Sequence, residues 1–265
     1  MVVNMGIYRI SSENMSSITG IFEGWKETLI LSCLQGFMGT AWADCKNNPQ
    51  SAQIVIADFC FLAGKVSEEL IRNKPKENNL DFVIMVPQNE EWAAKIEKTY
   101  GNNAKKVIRY AIKKEPFVFD TKRLRVFADG VNQDYKLELI NEELYHVTRK
   151  NKWSSDLCSQ FDTFEKYNER GLGVVALHNG DVVSGASSYT VYRDGIEIEI
   201  DTREDYRRKG LALACGARLI LECMKNKLYP SWDAQNKGSV ALAEKLGYHF
   251  DKEYIAYEIS GFGEV

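Results

Sequence analysis

The sequence is poor in the features that mark nucleic-acid binders, metalloproteins and membrane proteins. Its 34 lysines and arginines are outnumbered by 37 acidic residues and are scattered among them, whereas nucleic-acid binding needs cations concentrated on one face. The three histidines are isolated and the six cysteines form no CxxC pair, so no zinc-type cluster is predicted. No apolar run approaches the ~20 residues that span a bilayer. We therefore expect no nucleic acid, no metal and no membrane among the partners.

Elements that break or disorder a chain are also scarce. There are five prolines and no low-complexity tract, so any disorder is expected only at termini and loop tips. The N-terminus lacks the apolar segment of a secretory signal. Cys33, Cys60 and Cys215 lie inside apolar runs, as buried reduced thiols do. These features predict a cytoplasmic protein, long enough for one large core or two small ones.

Residues 1–130 are predicted to form an N-terminal α/β domain. Residues 15–37 carry apolar side chains at helical spacing and predict one or two helices. Residues 40–45 predict a strand, and the apolar run 52–64 predicts one longer, buried strand. A helix at 65–73, a strand at 81–87, an amphipathic helix at 90–100 and a strand at 105–115 follow. Residues 120–134 lack periodicity, so the domain boundary is placed there.

Residues 131–265 predict a second mixed α/β domain. A strand (135–140) is followed by a helix (142–150), then by a second helix over 154–171. Asn179-Gly180, a favoured hairpin turn, joins two strands, and a further strand covers 196–201. A long helix at 210–226, a strand at 229–234, a helix and a last strand complete the chain. In this order helices are able to cover both faces of one mixed sheet.

The two halves share a pattern. Gln88-Asn89 precedes a helix containing Glu97-Lys98, and Gln235-Asn236 stands at the same distance before Glu244-Lys245. A hairpin lies upstream in each half. We interpret this as two halves of similar architecture, the first a degenerate copy of the second. The alternative is that two amphipathic helices share these residues by chance.

The strongest chemical signal lies between a strand and a helix, at Arg207-Arg208-Lys209-Gly210-Leu211-Ala212. The first turn of a helix has amides without internal partners, and its dipole favours anions. Gly210 and the small Ala212 allow a phosphate to approach the backbone, while arginines suit bidentate phosphate contacts. A helix start with exposed basic residues is the simpler alternative.

This segment resembles the acyl-CoA fingerprint of the GNAT superfamily, [Q/R]-x-x-G-x-[G/A], with Arg207, Gly210 and Ala212 at the fixed positions. About 25 residues later, residues 236–248 are similar to the GNAT helix N-x-x-[A/S]-x-x-L-Y-x-x-x-G-[F/Y]. A glycine-capped helix alone would account for Gly247 and Tyr248. It would not account for their joint occurrence with the phosphate loop.

The resemblance covers about residues 131–265 and implies a GNAT fold there, with acetyl-CoA as co-substrate. The N-terminal part resembles the extension of a bacterial GNAT subgroup with the strings EIEIDT, RRKGLA and SWDAQN. In the family the Asn of the second motif lies near the pantetheine arm. The cofactor-binding residues that the resemblance implies are Ile200, Thr202, Arg207, Arg208, Lys209, Gly210, Leu211, Ala212 and Asn236.

The strand before the loop offers a catalytic base. Glu197, Glu199 and Asp201 share one face by strand alternation, between isoleucines on the other face. Such a row suits attracting a cationic amine and taking its proton. Glu199 is our first choice and Glu197 the second. The alternative is that this face is only solvated.

The resemblance fails at the general acid. Ala243 occupies the position that often carries Tyr in the family. Either another donor or solvent must protonate the thiolate. Tyr248, Tyr254 and Tyr257 are expected to be packing residues. Asp233, at the end of a strand, would lie beside the cleft of a GNAT fold and is a further candidate for binding the amine.

The resemblance implies an N-acetyltransferase that acts by direct attack on acetyl-CoA. The acidic strand and the lack of a basic patch favour a small cationic amine, such as a polyamine, an aminoglycoside-like metabolite or an antibiotic. A protein N-terminus or a lysine is the competing acceptor. Two other roles stay open: a non-catalytic acyl-CoA sensor, suggested by Ala243, and an N-terminal half that shapes the cleft or forms a homodimer surface.

Overall fold

The structure, a computed structural model, describes residues 6–75 and 81–263. Helices alternate with strands along these ranges, and the predicted mixed α/β class is confirmed. The strands are β1 (Tyr8–Ile10), β2 (Thr40–Ala43), β3 (Ser51–Ile56), β4 (Phe59–Gly64), β5 (Phe82–Pro87), β6 (Ala104–Ile112), β7 (Tyr135–Leu139), β8 (Gly173–His178), β9 (Asp181–Tyr192), β10 (Gly195–Thr202), β11 (Tyr229–Ser231), β12 (Asp233–Ala234) and β13 (Phe250–Ser260). The helices are α1 (Ser16–Thr19), α2 (Thr28–Leu34), α3 (Glu68–Arg72), α4 (Glu90–Tyr100), α5 (Thr121–Asp129), α6 (Glu142–Lys150), α7 (Phe164–Arg170), α8 (Leu211–Lys225) and α9 (Lys237–Leu246).

The chain divides into two compact units. Unit 1 comprises Met1–Arg109 and Glu253–Val265, and unit 2 comprises Tyr110–Lys252. β6 and β13 cross these limits, so each unit contains the end of a strand that begins in the other. The domain boundary between residues 130 and 131 stays a prediction, because compactness alone does not show which segment folds on its own.

Unit 1 is built on a sheet that starts with four antiparallel strands in the order β1-β2-β3-β4. β5 then pairs in parallel with β4, and the end of β13 pairs antiparallel with β5. The core of this unit includes Leu62, Leu70, Met85 and Trp92, all without exposed surface. The Trp92 indole donates a hydrogen bond to the Gly64 carbonyl over 2.9 Å, which ties α4 to the end of β4.

One prediction in this half is wrong. Residues 52–64 form the hairpin β3–β4 and not one long strand. Ala57 turns the chain in the left-handed region, with φ of 52°. The turn lacks the glycine or asparagine that usually supplies this conformation, so its only signal within the apolar run was the turn-favouring Asp58.

Unit 2 contains a five-stranded sheet in the order β11-β10-β9-β8-β7. β10 and β11 are parallel, and the remaining pairs are antiparallel. The predicted hairpin at Asn179-Gly180 is confirmed, with positive φ at both turn residues. β12 leaves β11 and pairs with the Tyr110–Ala111 end of β6.

Two helix predictions in unit 2 need correction. Within 120–134, where no element was predicted, α5 forms; the Asp120 side chain accepts hydrogen bonds from the first-turn amides, and Leu124 and Ala128 are buried one turn apart. Residues 154–171 are not one helix, because a short 3₁₀ turn precedes α7 and the Thr163 side chain starts α7 anew.

Both units follow one order of elements. A hairpin (β3–β4 or β9–β10) is followed by a helix, a strand parallel to the hairpin's second strand, a capped helix and a further strand. Asn89 and Asn236 both cap the helix that follows them, through their side-chain oxygens. The predicted repeat architecture is thus present, and the two units differ in their loops and strand ends.

Candidate acyl-CoA site

The predicted phosphate loop connects β10 to α8. After Thr202 a short 3₁₀ turn leads to three consecutive cations, Arg207, Arg208 and Lys209, all exposed. Gly210 adopts φ of +81° at the N-cap of α8, and a Cβ placed there would meet nothing within 4 Å. Glycine is needed for the backbone angle, and the space in front of it is open.

The start of α8 is left without a side-chain cap. Its first backbone hydrogen bond runs from the Ala214 amide to the Gly210 carbonyl, so the preceding first-turn amides point out of the helix. Among the described helices of nine residues or more, the other four are capped by the side chain of Asn89, Asp120, Asn141 or Asn236. α8 also has no acidic residue in its first turn. Its amides are therefore available to an anion.

Four contacts order the loop. The Arg207 Nε donates to the Thr202 carbonyl over 3.3 Å. Arg203 and Lys209 lie 4.4 and 4.3 Å from the centre of the Tyr206 ring, within the range of cation–π attraction. The Tyr206 hydroxyl also bonds His178 Nδ1 at 2.9 Å. Arg207 and Lys209 are thus held beside the helix start in the absence of a ligand.

The corresponding helix of unit 1 cannot accept an anion in this way. α3 has five residues, and the Ser67 side chain already accepts from the Leu70 amide. Glu68 and Glu69 in its first turn would repel a phosphate. The start of α3 therefore does not suit a phosphate as the start of α8 does.

The acidic face of β10 becomes less buried along its length. Glu197 is 4% exposed, whereas Glu199 and Asp201 are half-buried. Burial raises the pKa of Asp201, against an opposing hydrogen bond from the Thr202 amide and the charge of Arg207. The opposite face packs on α8, where a Cβ at Gly216 would come within 3.2 Å of Ile200. Because Glu197 is buried, the alternative of an acidic face that is only solvated does not hold for this residue.

An opening begins at the end of the parallel pairing. β10 and β11 pair from Gly195↔Tyr229 to Glu197↔Ser231, and no further. Beyond it β10 continues to Thr202, while β12 pairs with β6. β9 has one extra residue, Tyr189, at the same level, because the register with β10 shifts between Glu197 and Ile198. Asp233, in β12, lies just past this parting.

In unit 1 the equivalent gap is closed. β4 and β5 stay paired to Leu62↔Pro87, and the Gln88 amide then donates to the Leu62 carbonyl. The Gln88 side chain accepts from the Gly64 amide at 2.9 Å. The parted strands are therefore a property of unit 2.

Two residues at the parting were not predicted from the sequence. The hydroxyls of Tyr192 and Ser231 lie 3.0 Å apart, and both residues are buried. Tyr192 lies over Gly195, where a Cβ would come within 2.5 Å of its hydroxyl. The signal available in the sequence was this glycine, whose absent side chain gives the ring its place.

Two of the three tyrosines near the general-acid position in sequence, Tyr248 and Tyr257, are otherwise engaged. The Tyr248 hydroxyl donates to the Pro230 carbonyl over 2.6 Å, and Tyr257 donates to Glu97 over 2.6 Å. Burial raises the pKa of Tyr248 well above its usual value. Ala243 has no exposed surface. Tyr248 and Tyr257 act as packing residues, as predicted.

Asn236 has a structural task that the prediction did not include. Its Oδ1 accepts from the Ser239 amide and caps α9. Its contact with a pantetheine arm stays a prediction, as do the roles of the other site residues. His249 pairs with Glu115 at the surface over 2.6 Å.

Three general observations complete the description. In the described ranges, no three His, Cys, Asp or Glu side chains are grouped so as to hold a metal ion. None of the helices described there combines the length and hydrophobicity that a bilayer span needs. A cavity of about 430 Å³ in unit 1, lined by residues 9–12, 15, 33 and 36–40, includes none of the predicted site residues.

Comparison with known proteins agrees with this geometry. The family model of GNAT acetyltransferases matches residues 19–257. The chain is similar to the GCN5-related N-acetyltransferase-like protein from Streptococcus suis 89/1591, with 44% identity, a TM-score of 0.88, and coverage of 94% of this chain and 99% of that one. It is 26% identical to the uncharacterized N-acetyltransferase YdfB of Bacillus subtilis (strain 168), over 95% of this chain and 98% of that protein.

More distant structures share the fold. A tandem GNAT protein from the clavulanic acid biosynthesis pathway has 11% identity and a TM-score of 0.56, with 97% of this chain and 98% of that chain covered. This likeness agrees with two GNAT-like halves in one chain. Acetyl transfer from acetyl-CoA is general for the family whose model matches most of the sequence. The protein belongs to the GNAT acetyltransferase family and is an N-acetyltransferase.

Proposed function

We propose that unit 2 binds acetyl-CoA at the start of α8 and transfers the acetyl group to a primary amine of a small cationic metabolite or antibiotic. One observation carries the proposal: an uncapped helix start, preceded by three cations and opened by Gly210, follows a strand with an acidic face. Helix amides and arginines together suit a diphosphate.

The residues present fit the co-substrate. Gly210, Leu211 and Ala212 would present amides to the pyrophosphate, with Arg207, Arg208 and Lys209 supplying positive charge. Ile200 and Thr202, at the end of β10, would border the arm that carries the thioester. Asn236 would approach the same arm from the start of α9. These assignments follow the motif positions and the open space at Gly210.

The chemistry requires an amine without its proton, held against the thioester carbonyl. Glu199, two residues past the last β10–β11 pair and half-buried, is the proposed base. Positioning the two reactants together would supply much of the rate enhancement. Asp233, across the parting of the strands, would help to bind the ammonium form.

The acceptor class follows from charge. Three carboxylates on one face of β10, one of them nearly buried, favour a cation over an anion or an apolar group. The chain has a net charge of −3 and its cations are dispersed, so nothing favours a nucleic acid. Small polyamines and aminoglycoside-like compounds are the acceptors proposed for testing.

A second candidate function is a non-catalytic acyl-CoA sensor on the same scaffold. The observation that favours it is Ala243, fully buried at the position where the family often carries Tyr. In such a protein the loop before α8 would bind the thioester, and no amine would be acetylated.

Two measurements separate the candidates. Isothermal titration with acetyl-CoA and coenzyme A tests binding, and thiol release across a panel of polyamines, aminoglycosides, lysine peptides and N-terminal peptides tests turnover. The proposal expects binding and thiol release with small cationic amines. Binding without release from any amine would establish the sensor, and release only with peptides would overturn the proposed acceptor class.

A further inference from the structure

The hydroxyls of Tyr192 and Ser231 carry two hydrogens, and only one of these has a hydrogen-bond acceptor among the described residues. The two oxygens lie 3.0 Å apart, and either can donate to the other. Whichever one accepts still has its own hydrogen to donate, and within the described residues neither hydroxyl has a second hydrogen-bond partner. Ser231 has no exposed surface and Tyr192 is 9% exposed. Buried hydroxyl hydrogens normally find an acceptor, so this one points to a ligand.

The pair lies where the strands part. Ser231 is the last residue of β11 to pair with β10, opposite Glu197. It is on the acidic face of β10, because Tyr192, which bonds it, lies over Gly195 on that face. Both residues of the pair therefore lie at the level where β10 and β11 part, which is the level at which the thioester is proposed to react.

The hydroxyls of the neighbouring Tyr229 and Tyr248 have no hydrogen left to donate to a ligand. Tyr229 accepts from the Glu115 amide at 3.0 Å and donates to the Lys113 carbonyl at 3.3 Å. Tyr248 donates to the Pro230 carbonyl. In both, the hydroxyl hydrogen already has a backbone acceptor.

We propose that Ser231 protonates the thiolate of coenzyme A as it leaves, and that Tyr192 resupplies the proton to Ser231. The inference rests on the proposed function. Ser231, in strand β11, would donate the proton that a tyrosine at the position of Ala243, in helix α9, often donates in the family.

The amine nitrogen forms a bond to the acetyl carbon and gives one proton to Glu199, while the carbon–sulfur bond breaks. Sulfur takes the Ser231 hydroxyl proton, and Ser231 takes the Tyr192 proton in the same step. Once products leave, the Tyr192 phenolate takes a proton from water and Glu199 returns its proton to water.

Tyr192 is suited to holding a proton until it is needed. Burial raises its pKa to about 12; the hydrogen bond to Ser231 opposes the rise and the charge of Glu197 adds to it. At neutral pH the phenol is protonated, and it serves as a positioning residue that acts through Ser231.

The kinetic test uses Tyr192→Phe, Ser231→Ala and Ser231→Thr, with Tyr229→Phe, a half-buried tyrosine of the same strand as Ser231, as the control. Tyr192→Phe and Ser231→Ala are expected to lower kcat about 100-fold, with the Kd for acetyl-CoA unchanged. The double variant should be no slower than the slower single variant, because both act on one path. Ser231→Thr restores the rate and Tyr229→Phe keeps it. Equal rates in all variants, or equal losses in Ser231→Ala and Ser231→Thr, would overturn the proposal.

A second readout needs no amine. The thiol of bound coenzyme A is titrated by its thiolate absorption in the ultraviolet. Removing a donor to the thiolate should raise the pKa of this thiol by about one pH unit or more in Ser231→Ala, by less in Tyr192→Phe, and not in Tyr229→Phe. An unchanged thiol pKa in Ser231→Ala overturns the relay, whether or not any amine is acetylated. If the wild-type protein binds no coenzyme A, the proposed function and the relay fail together.

Discussion

Glu197 and Ser231 occupy the last register position at which β10 and β11 pair. Two residues later Asp233 pairs with β6 instead of β10, and the acidic face of β10 changes from buried Glu197 to half-buried Glu199. The end of a parallel pair thus separates two carboxylates that the sequence presents as equivalent. Glu199 is the one with access to an arriving amine, which supports its ranking as the base.

Glu199→Gln is expected to lower kcat for acetyl transfer by about 100-fold or more, the usual range for removing a general base. Its Kd for acetyl-CoA should stay within about twofold of the wild-type value, because the phosphate loop is untouched. Steady-state thiol release with the best amine of the panel, together with isothermal titration, measures both quantities.

The control for this variant is Glu204→Gln, which makes the same charge change at an exposed position in the turn after β10. It should keep both kcat and the Kd. Wild-type turnover in Glu199→Gln would remove Glu199 from the mechanism and leave Glu197→Gln as the next variant to measure.

Gly210→Asp is expected to abolish coenzyme A binding. The new carboxylate would stand in the open space before the first amides of α8, where it would repel the pyrophosphate. The left-handed backbone at this position strains a side chain, so the thermal midpoint should also fall. Isothermal titration with coenzyme A measures the loss.

Gly180→Asp provides a matched control. Gly180 also has positive φ, +89°, and a Cβ placed there would likewise meet nothing within 4 Å, but it lies in the β8–β9 turn. The strain of a side chain in the left-handed region is therefore shared by both variants, and coenzyme A binding should be lost only in Gly210→Asp. Tight binding by Gly210→Asp would place the cofactor elsewhere.

Local patterns were enough to predict most of the elements. α4 and α6 begin and end where their periodicity and capping residues predict, and Asn179-Gly180 forms the expected hairpin. The β3–β4 turn was missed because Ala57 adopts positive φ without a residue type that favours it. α5 was missed because only two of its residues, Leu124 and Ala128, are buried.

The site was predictable where chemistry depends on neighbours in sequence and not where it depends on strand pairing. Arg207 and Gly210 form a motif within four positions, so the loop was visible. Tyr192 and Ser231 are 39 positions apart and meet through the parallel pairing of β11 with β10. No single-sequence pattern gives that register.

One coenzyme A is expected to bind per chain, although the chain contains two halves of the same order. α3 is capped by Ser67 and begins with two glutamates, and the strands on either side of it in the chain, β4 and β5, stay paired. Isothermal titration should give a stoichiometry near one. Ser67→Ala should destabilise α3 by about 1 kcal/mol and leave the Kd unchanged. A stoichiometry near two would show that unit 1 retains a site.

Asp201→Asn is expected to stabilise the protein at neutral pH. Burial raises the pKa of Asp201 above its ordinary value of 3.8, so the folded state holds a proton more tightly than the unfolded state. The folded state then loses stability as pH rises through the raised pKa. Asparagine carries no charge to bury and can still accept from the Thr202 amide, as Asp201 does over 2.7 Å. The free energy of unfolding of the variant should increase relative to that of the wild type as pH rises from about 3 to about 7.

Asp162→Asn makes the same substitution at a carboxyl group whose pKa is shifted in the opposite direction. A hydrogen bond from Lys166 lowers the pKa of Asp162 below 3.8, so its carboxylate stabilises the folded state above that value and the effect disappears as pH falls through the lowered pKa. At neutral pH the thermal midpoint of Asp201→Asn should therefore lie above that of the wild type, and the midpoint of Asp162→Asn below it. If Asp201→Asn is less stable than wild type at neutral pH, then Asp201 is held as a favourable anion. Its place beside Arg207 would then mark it as part of the anion-binding loop's own charge balance.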